Sequence, residues 1–298
     1  MQCERENGNI YSIIAKIMRC EQNEIRNLSA MKCGMTNRSY SFLLKDKHYL
    51  VRIPGEGTAR LIDRRREYAV YQRISSLGIC DDVVYIDPEN GYKITVFWKG
   101  VRVCNPHDPE DVKACMKKLK AFHSANLEVS HTFDIFERIE FYESLWNQPS
   151  RYFDYAKTKA GVMSLNEHIT SISTQYTLTH IDAVPDNFLI FKDNEIRLID
   201  WEYASMQDPH VDIAMFAVYA MYERAQVESL IDAYFTEGCP TDVRAKIYAY
   251  IAMCGLLWSN WCEYKRQCGV EFGDYALKQY EFAKNYCAIH QEAQTQYA

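Results

Sequence analysis

The sequence predicts an α+β fold: a small N-terminal part with a five-stranded antiparallel sheet and one main helix, then a larger, mostly helical part. Three observations predict it. Between residues 25 and 97, short runs rich in β-branched and aromatic residues alternate with polar turns around a single long charged stretch. Lys99-Gly100 then breaks the pattern. From Asp108-Pro109 onwards, apolar residues recur at helical spacing almost to the last residue. The junction falls near residues 96–102, giving expected domains of 1–98 and 99–298.

In chain order, Ile10, Ile13, Ile14, Ile17 and Met18 share one side of a short amphipathic helix over residues 9–20. Strand-like runs follow at 25–31, 39–44 and 49–53. The small polar turn from Cys33 to Arg38 joins the first two runs, and Asp46-Lys47 the next pair, which makes the three a meander. A charged helix over about 59–76 carries Tyr68, Val70, Tyr71 and Ile74. Strands at 83–86 and 92–97 complete the sheet. In the second part, Asp108 precedes a proline suited to the first helical position, with Glu110 and Asp111 in the first turn; this helix should run to about residue 125. Further helices are expected at 134–146, 164–173, 210–223, 225–236, 241–267 and 271–294. The only strands expected in this half are 188–191 and 196–199, joined by the polar turn Lys192-Asp193-Asn194-Glu195.

Composition excludes several classes of function. A chain of 298 residues is long enough for a large core or two lobes. Its 34 basic and 40 acidic residues give a mild net charge of −6, which predicts no nucleic-acid surface. Glu4, Arg5, Glu6 and Lys16 interrupt the N-terminal stretch, so it has no apolar targeting region. Nothing approaches the run of about 20 apolar residues that spans a bilayer. These features predict a cytosolic chain with a small-molecule partner and no membrane or nucleic-acid partner. Eleven scattered cysteines without a C-x-x-C fit free thiols in a reducing compartment better than a zinc site or disulfide framework.

The chemistry concentrates in one stretch. His180, Asp182 and Asn187 share a loop, and Asp200 closes the strand pair that follows. Asp182 and Asn187 stand at the spacing of the aspartate and asparagine in the kinase catalytic loop. A hydroxyl attacking the γ-phosphorus of ATP needs a carboxylate to orient it and accept its proton, and Asp182 fits. The triphosphate brings Mg²⁺, a hard cation that takes a few protein oxygens while keeping some waters. Asn187 offers an amide oxygen and Asp200 a carboxylate. On the nucleotide side, Arg52 in the third strand stands where a kinase lysine would contact phosphate, and its fork of donors suits that task. Glu67 on the following helix is its natural partner. The turn over residues 34–39, including Asn37, would lie over the phosphates, although it lacks G-x-G-x-x-G. Adenine would lie against backbone groups near Val96 to Trp98 by analogy with kinases.

Several departures separate this pattern from protein kinases. Ile181 replaces the catalytic-loop arginine, Asp200-Trp201-Glu202 replaces D-F-G, and no A-P-E follows, so no peptide platform is expected. Instead H-x-D-x-x-P-x-N, with Ile199-Asp200-Trp201-Glu202-Tyr203 and Asp208-Pro209-x-x-Asp212, resembles the choline/ethanolamine kinase branch of the aminoglycoside-phosphotransferase-like superfamily. Val51-Arg52-Ile53-Pro54-Gly55, Gly57-Thr58 and Leu61-Ile62-Asp63-Arg64 are similar to bacterial choline kinases. The resemblance covers nearly the whole chain. It implies a protein-kinase-like bilobal fold, Asp182 as catalytic base, Asn187 and Asp200 as magnesium ligands, and His180 and Asp212 as supports of the catalytic loop.

Trp258-Ser259-Asn260-Trp261 puts two indoles on one helix face, and Glu271-Phe272-Gly273-Asp274-Tyr275 opens the next helix. These stretches are similar to the W-x-x-W, F-G and D-Y-A of choline kinases. The resemblance implies that Tyr203, Trp258, Trp261 and Tyr275 surround a trimethylammonium group. Such a cation has no N–H to donate and binds aromatic faces, each contact contributing roughly 0.5–2 kcal/mol. The same tryptophans, with Ile247, Ile251 and Cys254, also read as a core stripe. Glu202 and Asp274 are the candidate acidic partners of the cation. The expected activity is an ATP- and Mg²⁺-dependent choline kinase. The alternatives are ethanolamine, an aminoglycoside or a sugar as acceptor, or a catalytically inactive kinase-like binding protein.

Overall fold

The computed structural model describes residues 2–31, 37–55, 58 and 61–297, with side chains except those of 2–8, 291 and 293–297. Residues 34–36 of the expected phosphate turn, Gly57 and the first residues of the expected 59–76 helix lie outside the described residues. The chain forms two compact units, residues 1–102 with 189–202, and residues 103–188 with 203–298.

In the first unit, β1 (Arg26–Ala30), β2 (Asn37–Leu44), β3 (Lys47–Pro54), β4 (Val83–Ile86) and β5 (Lys93–Val96) form an antiparallel sheet in the order β1-β2-β3-β5-β4. The β2–β3 turn is Lys45-Asp46, one residue earlier than expected. Both residues have positive φ (48° and 62°), as the tight two-residue hairpin requires. One sheet face buries Phe42, Leu44, Val51 and Ile94 against Ile25 and against Ile10 and Ile14 of α1 (Gln2–Met18). Helix α2 (Arg64–Ile74) begins where the Asp63 carboxylate accepts the N–H groups of Arg65 and Arg66. The unit is completed by the hairpin between β8 (Phe188–Ile190) and β9 (Ile196–Leu198), apart from Phe188 itself. Arg197 Nη1 donates to Asp82 at 2.7 Å and the Leu198 N–H to the Ile79 carbonyl at 2.8 Å, which fastens this distant hairpin to the sheet segment.

The second unit is helical. Its helices are α3 (Pro109–His123), α4 (Ile135–Ser144), α5 (Tyr155–Ser171), α6 (His210–Tyr219), α7 (Arg224–Tyr234), α8 (Thr241–Gln267) and α9 (Asp274–Tyr297). Asp108 caps α3 and Asp134 caps α4 through their carboxylates. Helix α8 is the axis, packing against α9, α6, α4 and α5. At its closest approach to α9, a Cβ on Gly255 would stand 2.7 Å from the Gln279 carbonyl oxygen, so only glycine fits. Helix α5 starts nine residues before the expected 164, because its first turns (Tyr155 to Met163) are rich in small residues, Ala156, Ala160 and Gly161, and bury only Tyr155 and Val162, which leaves no clear apolar period.

Two further strands correct the expectation that 188–191 and 196–199 are the only ones in this half. β7 (Thr177–Thr179) and β10 (Ser205–Gln207) pair antiparallel, Leu178 opposite Met206. With three residues each, they are too short to show an alternating pattern. A two-residue strand, β6 (Arg102–Val103), follows the first sheet. No helix among the described residues is long and apolar enough to cross a membrane.

Candidate active site

In the second unit, the loop from β7 to β8 carries His180, Asp182 and Asn187. Ile181 adopts φ +69°, a left-handed conformation that costs a β-branched residue roughly 1–3 kcal/mol. The acceptor that holds this backbone in place is Asp212, in the first turn of α6. Its Oδ2 accepts the His180 N–H at 2.9 Å and its Oδ1 the Ile181 N–H at 2.7 Å. Behind it, His123 Nε2 lies 3.0 Å from Asp212 Oδ2, and His123 Nδ1 lies 2.9 Å from the Tyr234 hydroxyl. The network assigns the tautomer: Nε2–H donates to the carboxylate and Nδ1 accepts from tyrosine. Asp212 therefore supports the loop directly, and the His180 ring is fully buried beneath it. His123 and Tyr234 carry no sequence signal, being single polar residues on helices far along the chain.

Asn187 turns its amide nitrogen toward Asp182, donating to the carbonyl oxygen at 2.8 Å and to Oδ2 at 3.1 Å. That fixes the amide and leaves Oδ1 as the acceptor facing away. Asp182 itself is half-buried.

In the first unit, Arg52 and Glu67 form the expected pair, a buried fork with Nη1–Oε1 2.6 Å and Nη2–Oε2 2.7 Å. The sequence did not single out Arg64, which donates to Glu67 at 3.0 Å, to Glu202 at 2.9 Å and to the Asn37 side-chain oxygen at 3.1 Å. Asn37 in turn donates to Glu202 at 2.8 Å. Lys93 reaches Asp81 at 3.1 Å and the Tyr71 hydroxyl at 2.6 Å. Burial alone would raise the Glu67 carboxyl, but Arg52, Lys93 and Arg64 outweigh it and hold it down at about 2. Glu202, at 2% side-chain exposure, is committed to Arg64, so its charge is spent within this network.

Asp200 is different. Its φ is +66°, and the neighbouring Trp201 indole anchors the bend by donating to the Leu198 carbonyl at 2.9 Å. Burial, then the charge of Glu202, push its carboxyl up to about 7 against the pull of Arg52, 3.5 Å away. With 34% of its side chain exposed, Asp200 is a reachable carboxylate short of positive charge. An amide oxygen such as Asn187 Oδ1 in the second unit, and a carboxylate such as Asp200 in the first, are each the kind of oxygen a hard cation takes. Among the described residues no cluster of three or more His, Cys, Asp or Glu side chains is arranged to hold a metal by itself.

Val96 ends β5 opposite Tyr49, and the Trp98 ring meets Phe191 edge-on at 4.9 Å with the Arg197 guanidinium over it. They line a cleft of about 380 Å³ with Phe97 and Lys99.

Within the second unit, the expected substrate residues form one aromatic row. Tyr203 meets Phe133 and Trp258 edge-on, at 6.5 and 6.4 Å between ring centres. Trp258 meets Trp261 at 5.8 Å, Trp261 meets Phe272 at 5.1 Å, and Phe272 meets Tyr275 at 6.4 Å. The tryptophans are 8% and 1% exposed, so Trp261 belongs to the core as well as to the row. Tyr275 is half-buried, whereas Asp274, the other candidate acidic partner, is exposed at the start of α9.

The family model for choline/ethanolamine kinase matches residues 28–234, well over half of the chain. The chain belongs to the choline/ethanolamine kinase family. It is a phosphotransferase with an alcohol group as acceptor. Over 263 residues this kinase is 24% identical to protein LicA of Haemophilus influenzae, covering 84% of this chain and 77% of that one. The structure of choline kinase LicA from Streptococcus pneumoniae superposes with a TM-score of 0.84 at 27% identity, covering 96% and 99% of the two chains. A structure of LicA in complex with AMP superposes at 0.77 with 28% identity, covering 93% and 97%. The α+β architecture is thus that of the kinase-like phosphotransferases.

Proposed function

We propose that this kinase is a choline kinase, moving the γ-phosphoryl group of ATP to the choline hydroxyl to give phosphocholine and ADP. The observation that carries the choice of acceptor is the aromatic row through Tyr203, Trp258, Trp261 and Tyr275. Aromatic faces suit an ammonium that cannot donate hydrogen bonds, whereas an aminoglycoside calls for carboxylates.

Asp182 orients the choline hydroxyl and accepts its proton as the oxygen attacks phosphorus. Arg52, held by Glu67, brings its charge to the phosphates, and Asn37 serves the nucleotide side by bonding Arg64 and Glu202 beside it. Backbone near Val96 and Trp98 receives the adenine. Asn187 and Asp200 are the residues that would hold magnesium, which when bound neutralises charge on the phosphoryl oxygens. Asp212 and His180 keep the loop that bears Asp182 in its strained form. Eleven scattered cysteines with no C-x-x-C support a cytosolic setting.

A coupled ADP assay over choline, ethanolamine, aminoglycosides and sugars tests the reading. Choline should give the highest kcat/KM; a higher value for ethanolamine would reassign the acceptor.

A further inference from the structure

We infer that Asp186, held by Tyr219, is a specificity-determining carboxylate that faces the substrate's ammonium at the end of the aromatic row. This rests on the choline reading above. A quaternary ammonium carries a full charge, and rings alone leave it without a counter-ion. Of the two carboxylates the sequence nominates, Glu202 is tied to Arg64 and Asn37, and Asp274, at the start of α9, is not on the loop that bears Asp182.

The structure supplies a third. Asp186 lies on the same loop as Asp182, and its Oδ2 accepts the Tyr219 hydroxyl at 2.9 Å. Tyr219 is the last residue of α6, and its ring meets Tyr275 at 6.2 Å, so it extends the row that runs from Tyr203. The Tyr219–Asp186 hydrogen bond joins the row to the catalytic loop; after burial, the charges of Asp186 and Asp182 raise the Tyr219 phenol, and Tyr275 is raised by burial, then by Cys262, Tyr219 and Asp182. Choline's hydroxyl and ammonium are only two carbons apart. A cation site must therefore sit within one small molecule of Asp182, and Asp186, on the same loop, is tied through Tyr219 to Tyr275. The tyrosine hydroxyl fixes one carboxylate oxygen and leaves the other for the cation. Asp186 is one of the unspecified residues of H-x-D-x-x-P-x-N, which is why the motif gives no reason to notice it.

The test compares choline with 3,3-dimethyl-1-butanol, the same shape with carbon in place of charged nitrogen. Asp186→Asn should raise KM for choline about three- to tenfold, a modest change because the carboxylate is solvent-exposed. The kcat and the apparent magnesium requirement should hold, and kcat/KM for the neutral alcohol should change less than about twofold. Tyr219→Phe should show a smaller loss in the same direction. Equal losses on both alcohols would make Asp186 a loop-positioning residue and overturn the inference, as would an unchanged choline KM. Failure of the unmodified enzyme on choline, with turnover of another acceptor, would instead overturn the choline reading and this inference with it.

Discussion

Asp200 is the residue whose environment makes the sharpest demand. Its carboxyl, raised to about 7 by burial and by Glu202, binds a proton in the folded protein over a pH range where the unfolded chain has released it. Its ordinary value is near 4, so the metal-free protein loses stability through this group as pH rises from about 4 to about 7. Denaturation of the metal-free protein in urea should show that loss as a difference between wild type and Asp200→Asn. The variant, with nothing to deprotonate, should gain on the wild type across this range. A constant difference between the two would show that Asp200 is not perturbed. The Arg52–Glu67 pair was legible because each residue sits at a recognisable place, a strand centre and the following helix. Arg64 and Lys93 were not: Arg64 entered as the last residue of Leu61-Ile62-Asp63-Arg64, with no role attached, and a lone lysine in a strand has no local sign of burial. Their burial depends on partners far along the chain, such as Glu202 for Arg64 and Asp81 for Lys93.

At the scale of elements, the catalytic loop is held by what flanks it. β7 and β10 pair beside it, and the first turn of α6 offers Asp212 to two backbone N–H groups at the left-handed bend. Replacing Asp212 with alanine leaves those buried donors and His123 without their acceptor. The expected cost is about 2–4 kcal/mol in urea denaturation, with kcat falling more than KM rises. Wild-type stability in that variant would remove Asp212 from its supporting role. Helices with a strong start signal, such as Asp108-Pro109, or a long apolar period, such as α8, stood out in the sequence. The three-residue strands did not, since so short a segment has no period and pairs only through the fold around it.

For the whole molecule, the change from alternation to helical period gave away the α+β architecture. The hairpin bearing Asp200 belongs to the first compact unit although it lies far along the chain from the sheet. Contacts such as Arg197 with Asp82 create that association and have no local signature. The aromatic row was legible as a set of residues, while the placing of Asp186 at its end required the folded chain. The central claim is phosphoryl transfer from ATP to choline under the control of Asp182. ³¹P NMR of the purified enzyme with magnesium, ATP and choline tests it most directly. A phosphocholine resonance should grow as the γ-phosphate signal declines, and Asp182→Ala should slow it by about 10²–10⁴-fold while ATP still binds. ATP loss without phosphocholine, or an undiminished rate in Asp182→Ala, would contradict the account.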